Sequence, residues 1–166
     1  MRSAADSWHL RWLGLYLFAS FAAAGLGGLS TARAIPTWYR TLRKPGWNPP
    51  DAVFGPVWTV LYTLIALAAW LLRRGMSNTE RASTGTTALC LWWLQLGLNL
   101  GWSLTFFGRR RPGWGLVVIS ILEVTIIATT VAAARVSRLA AVLLTPYALW
   151  TAFASALNFR IWQLNR

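Results

Sequence analysis

Charged residues in this chain are spaced so that five intervals of more than 20 residues are left almost free of charge. Arg11 to Arg33 encloses 21 uncharged residues, Asp51 to Arg73 another 21, Arg81 to Arg109 encloses 27 and Arg138 to Arg160 again 21; the 23 residues between Arg111 and Arg135 are broken only by Glu123. The hydrocarbon core of a bilayer, about 30 Å thick, is crossed by about 20 mainly apolar residues rising roughly 1.5 Å each, so every interval can span it. With 56% hydrophobic and 12% charged residues, the composition departs from that of a soluble domain in the same direction. The expected fold is therefore an all-α integral membrane protein. A single five-transmembrane-helix bundle is predicted, with helices at about 10–32, 53–72, 86–107, 114–134 and 139–162 and a long ordered first loop at 33–50.

A net charge of +12 raises the possibility of a nucleic-acid partner, because Lys and Arg neutralise phosphates. The placement of the cations argues for membrane lipids and against nucleic acid. Arg40, Arg43 and Lys44, the pair Arg73 and Arg74, and the run Arg109, Arg110 and Arg111 all sit at span ends, where they meet headgroups. Loop cations divide seven to nine between the two sides, a margin of two towards a cytoplasmic C-terminus. Cys90 is the only cysteine, so neither an internal disulfide nor a multi-cysteine metal site can form.

The first loop holds Trp38, Tyr39 and Trp47, and its prolines Pro45, Pro49 and Pro50 restrict the backbone before helix 2 begins. A loop of that length is more often functional than passive, so an aromatic lid is expected. Gly75 to Gly85, with Ser77, Asn78 and Thr79, is expected as a polar turn, and Gly108 to Gly113 as a tight basic one.

Side chains with polar groups inside a membrane need partners or a cavity, because the helical backbone satisfies itself. Gln95, Asn99, Trp102 and Phe106 fall on one stripe of helix 3; Tyr147, Trp150, Ala154, Leu157 and Asn158 do so on helix 5; Phe54, Trp58 and Tyr62 step by four along helix 2. One such stripe is commonly core packing joined by interhelical hydrogen bonds. Three together favour a pocket, since apolar walls with a few convergent polar groups suit a planar hydrophobic ligand. Trp8, Trp12, Trp70, Trp114 and Trp162 lie near span ends and fit an interfacial belt, whereas Trp58, Trp102 and Trp150 do not. Gly97 and Gly101 form a G-x-x-x-G element that serves equally as a dimer contact or as packing within one bundle, helix 1 having its own small residues at Ala24 and Gly28. Glu123, near the middle of helix 4, is open to two readings, proton coupling in a small transporter or a hydrogen-bonded structural acid. No conventional nucleophile, metal cluster or acid and base pair is present, so no catalytic residue is assigned and enzyme status stays open.

Taken in order, Trp38-Tyr39, Lys44-Pro45, Trp47, Pro49-Pro50, Gly55-Pro56-Val57-Trp58, Leu61-Tyr62, Gln95-Leu96, Leu98-Asn99, Trp102, Phe106-Phe107-Gly108, Pro146-Tyr147, Trp150, Phe153-Ala154, Leu157-Asn158 and Trp162 give a pattern over nearly the whole chain. It resembles the translocator protein (TspO/MBR) family, also called tryptophan-rich sensory proteins or peripheral benzodiazepine receptors. The resemblance implies a five-helix bundle, usually a homodimer, whose first loop closes over a pocket for porphyrins, haem included, and for benzodiazepine-type or isoquinoline ligands. No cofactor is required; the tetrapyrrole is the ligand. Carried onto this chain, the pocket would use Trp47, Phe54, Gly55, Val57, Trp58, Asn99, Trp102, Trp114, Trp150, Ala154 and Leu157. Tyr62, Phe106, Tyr147 and Asn158, from the stripes above, complete the candidate set. The family's sterol-associated pattern at the end of helix 5 wants a Tyr where this chain has Phe159, which weakens the expectation of sterol binding. The family implies a receptor, a sensor or a porphyrin handler, with light-dependent porphyrin breakdown as an alternative. It places the chain in a bacterial envelope, which is favoured, or in the mitochondrial outer membrane.

Overall fold

The computed structural model describes residues 4–76 and 79–166, and their side chains except at 4–8 and 79–81. Those residues form five long α-helices and no strand: α1 Ala4–Ala34, α2 Asp51–Gly75, α3 Thr79–Ser103, α4 Pro112–Val136 and α5 Arg138–Leu164. The chain is an all-helical membrane protein. The helix beginning at His9, α2, α4 and α5 are each long and apolar enough to cross a bilayer. Although α3 has the same 25-residue length as α2, it falls outside that set because it carries Thr84, Thr86, Thr87, Gln95, Asn99 and Ser103. Its polar side chains Gln95, Asn99 and Ser103 are buried while Trp93, Leu94 and Leu104 face out. An inward polar face and an outward apolar one suit a helix whose surroundings are lipid.

Two expectations about connections change. The first loop does not run from 33 to 50, because α1 continues through a π-helical turn, Ile35–Tyr39, and stays helical to Thr41. Pro36 lacks an amide donor, and a wider turn accommodates that gap without ending the helix. The hydroxyl of Thr37 donates to the Arg33 carbonyl at 3.0 Å and that of Thr41 to the Trp38 carbonyl at 2.8 Å, satisfying acceptors along the altered turn. Trp38 and Tyr39 are thus helical, and the irregular segment is only 42–50. The polar connection expected at Gly75–Gly85 also shrinks, since α2 reaches Gly75 and α3 already runs from Thr79. Ser77 and Asn78 lie outside the described residues, as does the Trp8 side chain. A polar sequence can continue a helix past the hydrocarbon, where water accepts its side chains. The basic turn into α4 is as tight as expected, with Arg110 at φ 56°, a left-handed conformation costing a non-glycine residue about 1–2 kcal/mol.

Helices consecutive in the chain are antiparallel, so α1 and α3, which touch, run in the same direction. Tyr16 meets Trp92 edge to face at 5.1 Å, and eleven residues further along both helices Gly27 abuts Ser103, where a Cβ would come within 3.0 Å of its hydroxyl oxygen. Backbone acceptors also tie helices together: the Trp92 indole donates to the Ile65 carbonyl at 3.0 Å and the Trp70 indole to the His9 carbonyl at 3.0 Å. The hydroxyls of Thr125, Thr129 and Thr151 are satisfied by their own helices, each donating to the carbonyl four residues back.

Candidate functional site

The first half of α2 lies beside α1 and the end of α3, and these three helices enclose a cavity of about 440 Å³. Phe54, Trp58, Tyr62, Trp102 and Phe107 line it from α2 and the end of α3, and α1 contributes the small residues Ala24, Gly27 and Gly28, flanked by Phe21 on one side and by Ile35 and Tyr39 of its π-helical end on the other. From Asp51 to Tyr62 the lining descends eleven residues of α2, about 16 Å. Small residues on α1 leave the space; aromatic residues of α2 and α3 give flat faces to it.

A polar network closes the deep end. The Tyr62 hydroxyl donates to Asn99 Oδ1 at 2.6 Å, and Asn99 Nδ2 donates to the Tyr147 hydroxyl at 3.0 Å. Asn99, 1% exposed, therefore joins α2, α3 and α5 at one level. A second network lies nearer the loop end, where the Trp102 indole donates to Asn158 Oδ1 at 3.0 Å and Asn158 Nδ2 to the Pro112 carbonyl at 2.8 Å. Gly115 makes room for it, since a Cβ there would approach Asn158 Oδ1 and Phe106 to 3.1 Å. Gln95, one turn from Asn99 on α3, is 1% exposed and neither of its amide atoms has a hydrogen-bond partner. Glu123 is half-buried with one carboxyl oxygen in the same condition. Both carry the cost of a polar group withdrawn from water without compensation.

The segment 42–50 is held over this end of the bundle from both sides. The Tyr39 hydroxyl donates to Asn48 Oδ1 at 2.9 Å, and the Lys44 ammonium stands 4.6 Å over the Tyr39 ring. At α5, Asn165 brackets one residue of the loop, accepting from the Arg43 amide at 3.0 Å and donating to its carbonyl at 2.9 Å. Removing that bracket in Asn165→Ala is expected to loosen the segment, read as faster backbone amide hydrogen exchange across 42–50; unchanged exchange would show that Tyr39 and Asn48 hold it without Asn165.

Of the residues singled out in the sequence, Phe54, Gly55, Trp58, Tyr62, Asn99 and Trp102 line the cavity. Tyr147 and Asn158 stand behind it, hydrogen bonded to Asn99 and Trp102. Phe106, with its ring tilted against Trp102 at 5.6 Å and edge to face with Trp38 at 5.7 Å, packs with Leu157 in a small core, and Ala154 belongs to the main one. Val57 and Trp150 instead face a separate recess between α2 and α5, and the Phe54–Trp150 pair, 5.9 Å between ring centres, stands between the two spaces. Trp47 is 49% exposed and rests on Phe153 at 5.7 Å; Trp114, 62% exposed, is outside the lining altogether. Gly97 faces open space, and Gly101, one turn on along the same face of α3, has Val118 of α4 4.0 Å from where its Cβ would stand.

The wall that sequence periodicity missed is α1. Its signal was the small residues Ala24 and Gly28, read for helix contact. In the fold Gly27 serves that contact against Ser103 and also borders the cavity. Conversely, the α5 stripe lies one layer back because Trp102 and Phe106 intervene.

The family model described as the TspO/MBR family matches residues 15–163. The Tryptophan-rich protein TspO of Chlorobaculum tepidum is 45% identical over 154 residues, covering 92% of this chain and 92% of that protein. The Translocator protein of Homo sapiens is 43% identical over 129 residues, 77% of this chain and 75% of its own length. The Tryptophan-rich sensory protein of Cereibacter sphaeroides is 37% identical over 152 residues, 90% and 91% of the two chains.

Proposed function

The chain belongs to the TspO/MBR family, and from that membership we propose that it is a membrane receptor or sensor that binds a tetrapyrrole, protoporphyrin IX or haem, in the cavity between α1, α2 and α3. The observation that carries this reading is the cavity itself. Its volume falls in the range of about 300–1,000 Å³ usual for small-molecule sites, and the aromatic faces of Trp58 and Trp102 line it together with the small α1 residues Ala24, Gly27 and Gly28, which leave room for a flat conjugated ring. Ring stacking supplies the attraction, each aromatic pair adding about 0.5–1.5 kcal/mol beyond its buried area. Asn99 and Tyr62 spend their hydrogen bonds on each other and on Tyr147, so they shape the floor and do not compete for ligand polar groups.

Titration of the purified protein with protoporphyrin IX, followed by tryptophan quenching, tests the site. Trp58→Ala is expected to weaken binding about tenfold, the equivalent of roughly 1.4 kcal/mol, whereas Trp114→Phe, outside the cavity, leaves it within twofold. Equal affinity in the parent and Trp58→Ala would place the porphyrin elsewhere.

A further inference from the structure

On the outside of the bundle, between α2 and α5, lies a recess of about 570 Å³. Every residue lining it is apolar: Val57, Val60 and Leu61 make one wall, and Pro146, Leu149 and Phe153 the other. Leu149 is 68% exposed and Val60 58%, so the recess opens sideways into the surrounding hydrocarbon. Along α5 the lining residues step by three and four, and the exposed face continues through Ala156 to Arg160. From Leu149 to Arg160 is eleven residues, about 16 Å, which is one leaflet's share of a hydrocarbon core about 30 Å thick.

Arg160 marks the water-facing end of this groove. It is exposed, its guanidinium donates to the neutral Gln163 at 3.1 Å, and no carboxylate pairs with it among the described residues. The backbone of Arg43 is held at the same end of α5 by Asn165, which places a second exposed cation near that level. An apolar channel of one-leaflet length ending below uncompensated cations is complementary to an acyl chain that carries a negatively charged head.

We propose that the α2–α5 groove is a binding site for one anionic glycerophospholipid of the surrounding bilayer, with an acyl chain along the groove and its phosphate at Arg160. Hydrocarbon contact supplies retention, and the cation supplies selection between headgroups. The groove is separate from the porphyrin cavity, with the Phe54–Trp150 pair between them, so neither assignment depends on the other.

Native mass spectrometry of the protein with equal phosphatidylglycerol and phosphatidylcholine of identical acyl chains tests the site. The expected result is one retained lipid, with phosphatidylglycerol favoured about fivefold, the size of effect that one cation near a headgroup produces. Arg160→Gln brings the two lipids to parity. Leu149→Trp and, separately, Val60→Trp fill the groove and abolish retention of both, while porphyrin affinity stays within twofold of the parent as the check on folding. A parent without headgroup preference, or groove-filled variants that retain lipid as the parent does, would overturn the assignment. So would displacement of phosphatidylglycerol by equimolar cholesterol, which would make the groove a sterol site. Failure of porphyrin binding in the parent would overturn the proposed function and leave the lipid result standing.

Discussion

Replacing Trp102 by alanine is expected to destabilise the protein by about 3 kcal/mol, at the lower end for removal of a packed tryptophan because this one borders a cavity, and to weaken porphyrin binding by more than tenfold. The side chain does three things at once. It walls the cavity, it packs against Phe106 at 5.6 Å and Phe107 at 5.8 Å, and its indole N–H reaches Asn158 at 3.0 Å. Truncation leaves the buried Asn158 Oδ1 without its donor, and it opens the partition between the cavity and α5. Trp102→Phe separates the parts: it keeps much of the ring packing and loses only the hydrogen bond, about 1 kcal/mol for an interhelical bond in a membrane protein. Unfolding in detergent, followed by tryptophan emission, gives the stability of all three proteins, and porphyrin titration gives the affinities. If Trp102→Ala matched the parent in both measurements, the residue would not wall the site.

The next largest effect is expected at Asn99, where Asn99→Leu should cost about 2 kcal/mol. Leucine keeps the branched outline and heavy-atom count of asparagine, with bulkier methyl groups in place of the amide atoms, while the Tyr62 hydroxyl loses its acceptor and the Tyr147 hydroxyl its donor. Each orphaned buried group costs about 1–3 kcal/mol in general, and measured interhelical bonds in membranes fall towards the lower figure. The sign of the remedy distinguishes a hydrogen-bond defect from a packing defect. In the triple variant Asn99→Leu, Tyr62→Phe, Tyr147→Phe, no polar atom of the network remains, and most of the lost stability should return. A triple variant no more stable than the single one would mean that the asparagine acts through its shape.

How far the site could be read from sequence is seen in the fate of the three stripes. The α2 stripe of Phe54, Trp58 and Tyr62 and the α3 residues Asn99 and Trp102 line the cavity, because spacing by three and four fixes which face of a helix a residue occupies. The α5 stripe shares that periodicity, yet Tyr147, Ala154, Leu157 and Asn158 lie a layer behind and Trp150 borders the outer recess. Periodicity identifies a face without saying which neighbour it meets. On α1 the error ran the other way, since Ala24, Gly27 and Gly28 carry no side chain that announces a ligand, and what they contribute is the absence of bulk.

By itself the sequence determined that the chain is a membrane bundle of five helices and which family it belongs to, because charge spacing and the order of the aromatic and polar blocks are properties of the chain alone. It also determined that Asn99 and Asn158 must find partners, since a buried amide without one is costly wherever the helix lies. Only the tertiary structure decided that α1 forms the third wall, that helix persists past Pro36 through a π turn so the loop is 42–50, and that Trp102 and Phe106 set α5 apart from the cavity. Those outcomes depend on the rotation of each helix about its axis and on which helices become neighbours. Both are fixed by side chains meeting across the whole bundle, such as Gly27 against Ser103 and Gly115 against Phe106 and Asn158, and no local stretch of sequence contains both partners.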